Sequence, residues 1–228
     1  MLGAGGEQVE AAGGGGEPAA VAPGELEAVT RYLYEAGHLK RSARTGWWFA
    51  GITDPETVAE HSFRVAVIGY VLALMEGLDP AVTAALCLFH DLPETRLGDI
   101  PHTGRRYLSH PPPAEIAADQ VAGMPPHVAE AIVALVDDYA SGRSAEARLA
   151  EDADKLECLL QAREYEPQAD VQEWIVSNRA KLRCDSARRL ATMAIDLSPD
   201  AWWRRVTGSP AGSADIASGA RDARQRRR

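Results

Sequence analysis

The stretch that most limits what this chain can fold into is residues 57–76, TVAEHSFRVAVIGYVLALME. Its second half is apolar nearly all round, the pattern of a helix that is buried and not of an alternating strand. The apolar run from Val65 to Met75 is shorter than the roughly 20 residues needed to cross a bilayer, so a core helix is expected and a membrane span is not. The rest of the chain fits around such a helix. Residues 25–36 place Leu26, Val29 and Leu33 at helical spacing. Asp79 and Pro80 open a helix over 81–92, as N-cap and first helical residue. Further helices are expected over 127–140, over 144–166 with Ser144 as its cap and Glu146 near its positive end, and around 178–196. No alternating run demands a strand, and neither an internal repeat nor a glycine-rich phosphate loop is present. The expected class is all-α.

The two ends read differently. Residues 1–23 are Gly/Ala-rich with almost no large side chains and cannot repay the entropy of ordering, so a disordered tail is expected. Residues 24–203 form the expected folded body. Residues 204–228 read as a flexible tail closing on GARDARQRRR, with five Arg against one Asp. That basic end is a candidate contact for RNA or an acidic partner, with a solvated tail as the plainer reading. The net charge of −9 argues against nucleic-acid binding by bulk electrostatics. Cys87, Cys158 and Cys184 are too few and too widely spaced for a disulfide frame or a zinc knuckle, and read as reduced core thiols. No basic region followed by an apolar run opens the chain, so a cytoplasmic location is the expectation.

Four of the six histidines, at 38, 102, 110 and 127, lie beside Gly or Pro in loops and helix starts and read as exposed. His61 and His90 sit inside strongly apolar helices. His90 is followed at once by Asp91, after ALCLF. An unpaired buried carboxylate costs several kcal/mol, so it needs a cation, and a divalent metal ion would meet that need while using the imidazole. Neighbouring helical residues diverge by roughly 100°, so His90 and Asp91 can grip one ion from two sides. Other helices must complete the sphere. His61 is one candidate. In the helix ARLAEDADKLECLL, Asp152 and Asp154 flank the apolar stripe Leu149, Ala153, Leu156 and Leu160 on opposite sides, and helical phase does not choose between them. Glu94 lies four residues after His90 and returns to the same face if the helix continues through Pro93. Asp99, in a Gly-Asp turn, could fold back toward the pocket. Arg44 and Trp47 precede the His61 helix; Arg is the usual fork for phosphate and Trp can wall a sugar pocket.

These residues resemble the HD-domain metal-dependent phosphohydrolases, specifically their 5′-deoxynucleotidase branch. The matching stretches are RTGW (44–47), PETVAEHSFRVA (55–66), FHDLPETRLGDIP (89–101) and EARLAEDADKLECLLQAREYE (146–166). The resemblance implies a helical HD-domain bundle that forms a homodimer. It implies a divalent ion (Mn, Co, Fe, Zn or Mg) on His61, His90, Asp91 and Asp154, and so selects Asp154 over Asp152. It assigns Glu94 and Asp99 to the catalytic centre, as proton handlers or as ligands of a second, weaker ion. It places Arg44 and Trp47, with Trp48 as the alternative, beside the phosphate and sugar. The implied reaction converts a 2′-deoxyribonucleoside 5′-monophosphate to deoxynucleoside and phosphate. Two other readings share the scaffold: hydrolysis of another nucleotide or secondary-metabolite phosphate, and oxidation by a di-iron centre, which needs more imidazoles than the spare His102. A third, a non-enzymatic sensor, predicts lost ligands, and none of the pattern positions is lost.

Overall fold

The computed structural model describes residues 20–207. Within them the chain forms helices α1 (Pro23–Ala36), α2 (Val58–Glu76), α3 (Pro80–Phe89), α4 (Glu94–Leu97), α5 (His102–Arg105), α6 (Pro113–Gln120), α7 (Pro126–Ser141), α8 (Ala145–Tyr165), α9 (Gln172–Lys181), α10 (Asp185–Asp196) and α11 (Ala201–Thr207), with 3-10 turns at Gly37–Arg41 and Thr45–Ala50. No strand occurs among the described residues beyond an isolated bridge between Ala43 and Thr57. The all-α expectation holds. The Arg-rich terminus and residues 1–19 lie outside the described residues.

Local chemistry explains the main starts. Asp79 caps α3, its carboxylate accepting from the N–H groups of Ala81 at 2.8 Å and Val82 at 3.1 Å. Ser144 caps α8 by accepting from Ala147 N at 2.9 Å. At α2, the Thr57 hydroxyl accepts from Glu60 N while the Glu60 carboxylate accepts from Thr57 N, a reciprocal capping box. Gly77, at φ 73°, ends α2 in the left-handed conformation that glycine adopts without strain.

α2, α3 and α8 form the centre of the bundle. Val65, Leu72 and Ala73 of α2 meet Leu86 and Cys87 of α3 and Ala150, Ala153 and Leu156 of α8 in one core. Gly69 lets α2 and α3 approach closely, since a Cβ there would collide with Cys87 Sγ. A second cluster, built on Tyr32, Leu39, Val58 and Leu92, holds α1 against the start of α2 and the end of α3.

Four expectations need correction. The helix expected around 178–196 is two helices, α9 and α10, broken at Leu182–Cys184. The break is held by tertiary contacts, because the N–H groups of Arg183 and Cys184 donate to the Asp152 carboxylate. The helix expected over 81–92 ends at Phe89, since Pro93 has no N–H to bond the Phe89 carbonyl and the chain tightens into turns. The folded body runs past 203, because α11 continues to Thr207. Finally, α2 is buried on one face only: Phe63, Val67, Tyr70, Val71, Leu74 and Met75 are all exposed.

Candidate metal centre

His61 and His90 are prepared for the same task by different means. His61 on α2 is fully buried, and its Nδ1 lies 2.5 Å from Glu157 Oε2 on α8. Glu157 is held anionic: burial pushes its pKa up, but His61 and Arg64 outweigh that and lower it. His90 caps the end of α3, and its Nδ1 lies 2.6 Å from the Cys87 carbonyl. A carbonyl can only accept, so Nδ1 carries the proton and Nε2 is left with a lone pair. The Tyr139 ring, with its centroid 4.6 Å away, packs on the His90 ring and fixes its plane.

Both Nε2 atoms face the same carboxylates. His90 Nε2 is 3.1 Å from Asp91 Oδ2, and His61 Nε2 is 3.2 Å from Asp154 Oδ1 and 3.8 Å from Asp91 Oδ2. His61, His90 and Asp154 present ligand atoms all within 4.8 Å of one another. His61 Nε2 and Asp91 Oδ2 are buried with no hydrogen-bond partner, a costly state that a cation between them would relieve. The field there favours positive charge. Burial and Arg44 press the His61 pKa down, yet Glu157 and Asp154 raise it to about 10. The set of two imidazoles and two carboxylates therefore fits a divalent ion by donor chemistry and by its unsatisfied atoms.

Arg44 reaches this cluster because the bridge beside Thr57 pins its strand segment to the start of α2: Arg44 N donates to Glu56 O at 2.9 Å and Val58 N to Ser42 O at 2.8 Å. Its Nη1 is 3.6 Å from Asp91 Oδ2 and 3.2 Å from Asp99 Oδ1. Asp99 Oδ2 accepts from Thr45 N at 2.5 Å and from the Thr45 hydroxyl at 2.8 Å. Asp99 is thus the anchor of the Arg44–Thr45 segment, with both oxygens engaged. Glu94 stays on the site's side despite the break in the helix, because Glu94 N donates to Asp91 O at 3.0 Å. Its Oε2 is buried and unpaired. Burial, with Asp91 and Asp99 nearby, pushes the Glu94 pKa up to about 9. Glu94, Asp99 and Asp91 itself all lie outside the 4.8 Å group formed by His61, His90 and Asp154 among the described residues.

The structure separates residues that the pattern left equivalent. Asp154 faces His61, whereas Asp152 turns to the α9–α10 break. Trp47 is 3% exposed, with its ring 5.8 Å from Trp174 and 5.2 Å from Tyr165 and its Nε1 donating to Glu56 at 3.0 Å. This corrects its reading as a sugar wall: the ring is a core residue, and it is Trp48, 55% exposed, that has a free face. His102, the spare imidazole for di-iron chemistry, is exposed on α5.

Sequence reasoning missed Glu157 and Arg64. Arg64 Nε donates to Glu157 Oε1 at 2.9 Å, its Nη2 to Gln161 at 2.5 Å and its Nη1 to Glu164 at 2.8 Å. The available signal was spacing: Glu157 is three residues after Asp154 and Arg64 three after His61, each one turn along its helix.

The HD-domain family model matches residues 36–188, and the chain belongs to this family. It is similar to the 5′-deoxynucleotidase HDDC2 of Bos taurus, at 33% identity over 138 residues, 60% of this chain and 67% of that protein. The 5′-deoxynucleotidase hdd1 of Schizosaccharomyces pombe is 31% identical over 148 residues, 60% of this chain and 72% of the relative. Among solved structures, a conserved hypothetical protein from Pyrococcus furiosus aligns with a TM-score of 0.59 at 30% identity, covering 73% of this chain and 98% of that one.

Proposed function

We propose that this protein is a metal-dependent phosphomonoesterase acting on 2′-deoxyribonucleoside 5′-monophosphates, with the ion held by His61, His90, Asp91 and Asp154. The observation that carries the reading is the convergence of two imidazole Nε2 atoms, each with its Nδ1 already engaged, on Asp91 and Asp154. The relatives named 5′-deoxynucleotidases support the substrate class.

When bound, a divalent ion in this family polarises a phosphate oxygen and lowers the pKa of an attacking water. The remaining work falls to the chain. Arg44, between Asp91 and Asp99, offers its guanidinium to the phosphate oxygens, and Asp99 keeps it aimed. Glu94, whose raised pKa leaves it protonated at neutral pH, is the group suited to protonate the departing 5′-oxygen. Trp48 is the aromatic face open to the sugar. The protein acts as a homodimer in this proposal, and the exposed apolar side of α2 supports that.

The test is phosphate release from a panel of deoxy- and ribonucleoside mono-, di- and triphosphates. Turnover restricted to deoxynucleoside monophosphates is expected. Inactivity on these with turnover of another phosphate would overturn the substrate assignment and leave the metal centre standing.

A further inference from the structure

Lys155 follows Asp154 on α8, and its Nζ lies 2.5 Å from Asp154 Oδ2. Side chains one residue apart on a helix diverge by roughly 100°, so this contact is made only because the lysine stem bends back toward the site. The other Asp154 oxygen, Oδ1, is the one 3.2 Å from His61 Nε2. Lys155 and the metal centre thus take different oxygens of one carboxylate. An ammonium carries three N–H donors, and Asp154 is its one polar partner among the described residues. The side chain is 34% exposed, so an incoming ligand can reach the remaining donors. The other cations near the site are committed elsewhere. Arg44 reaches Asp99, Asp91 and Cys158 Sγ. Arg64 directs its nitrogens to Glu157, Gln161 and Glu164. Arg105 donates to Ile100 O and comes no nearer to Glu94 than 4.0 Å. We propose that Lys155 is a second phosphate-binding residue beside Arg44, its free N–H donors turned to a terminal oxygen of the phosphomonoester, an inference that rests on the phosphomonoesterase reading above.

The two cations complement each other. Arg44 is fixed by Asp99 and presents a planar fork, whereas Lys155 is a compact point charge on a flexible stem that can follow the phosphate. They are close enough for Arg44, like burial, to press the Lys155 pKa down, although Asp154 outweighs both and raises it. Two positive groups converging on one site suit a phosphomonoester, which carries close to two negative charges at neutral pH. Lys155 makes and breaks no covalent bond in this role and passes no proton; it binds and orients the phosphate.

The test uses the full chain loaded with a divalent ion, with inorganic phosphate and the deoxynucleoside product as separate probes in calorimetric titrations, beside metal content and steady-state kinetics. Lys155→Gln and Lys155→Ala should keep the bound ion and their affinity for the deoxynucleoside. Phosphate should bind to them at least about tenfold more weakly, and KM for the monophosphate should rise with it. Lys155→Arg should recover most of the phosphate affinity. Unchanged phosphate affinity in the Gln and Ala variants would overturn the proposal and leave the phosphomonoesterase reading intact. So would loss of the ion from both variants, or equal weakening toward phosphate and deoxynucleoside, either of which would make Lys155 a support for Asp154 alone. Absence of phosphate binding by the unaltered, ion-loaded protein would overturn the residue's role and the phosphomonoesterase reading together.

Discussion

Replacing Asp152 and Asp154 separately by Asn, a nearly isosteric change, should break the protein in two different ways. Asp152 is 2% exposed, and its oxygens accept from Arg183 N at 3.0 Å and from Cys184 N at 2.6 Å. An amide keeps one acceptor and turns its NH₂ toward the other backbone donor. Losing a charge-assisted bond costs about 1.5–3 kcal/mol, and stranding a buried N–H costs about 1–3 kcal/mol more, with partial overlap between them. Asp152→Asn should therefore destabilise by roughly 2–5 kcal/mol, moving the urea midpoint down by about 1–2.5 M at a slope near 2 kcal/mol/M. Its bound metal and its phosphate release below the transition should remain. Asp154→Asn should lose both bound metal and phosphate release, with a smaller shift in the metal-free urea midpoint. The assay is urea unfolding in chelator beside metal content and phosphate release. Retention of metal and activity by Asp154→Asn would refute the reasoning, as would loss of metal by Asp152→Asn with an unchanged midpoint.

Glu157→Ala removes the acceptor that orients His61 and should weaken metal binding by about 10–100-fold, while Glu157→Gln, which still accepts from Nδ1–H, should recover most of it; equal affinities in a metal titration would contradict this. Glu35 accepts from Arg96 at 2.7 Å and also from Thr95 and Gln120, and the Arg96 hydrogen bond leads in lowering its pKa from 4.5 to about 2. A depressed carboxylate contributes stability above its unfolded pKa and loses it as pH falls from about 4.5 to about 2. Glu35→Gln should thus cost about 1–2 kcal/mol at pH 7, allowing for screening of this partly exposed pair, and the gap in urea midpoint should narrow as pH falls. Leu74→Glu, on the open side of α2, should convert the proposed homodimer to monomer in analytical ultracentrifugation; an unchanged mass would count against that face.

Much of the fold was legible because its signals are local. The Asp79-Pro80 and Ser144 caps and the stripe Leu149, Ala153, Leu156 of α8 lie in the structure where their spacing puts them. The break between α9 and α10 was not, because no Gly or Pro marks Leu182–Cys184 and the cause is a carboxylate 31 residues upstream. α6 was not read from the sequence, because three successive prolines at 111–113 obscure its start, although Pro113 occupies the first helical position, where the missing N–H costs nothing. In the site, the demand of a buried His90-Asp91 pair for a cation could be argued from residue types alone. Whether Asp152 or Asp154 answers it depends on which neighbours each side meets, and helical phase holds no information about neighbours. Trp47 was misread for a similar reason: an indole close in sequence to Arg44 suits a sugar wall, but its placement between Tyr165 and Trp174 is set by α8 and α9.

The central claim is tested most directly by phosphate release from 2′-deoxyribonucleoside 5′-monophosphates after chelation and again after a divalent ion is restored. The account predicts that activity disappears with the ion and returns with it, and that the protein with His90→Ala and Asp91→Ala recovers neither bound metal nor turnover. Full activity in excess chelator, or turnover by that double variant, would contradict it.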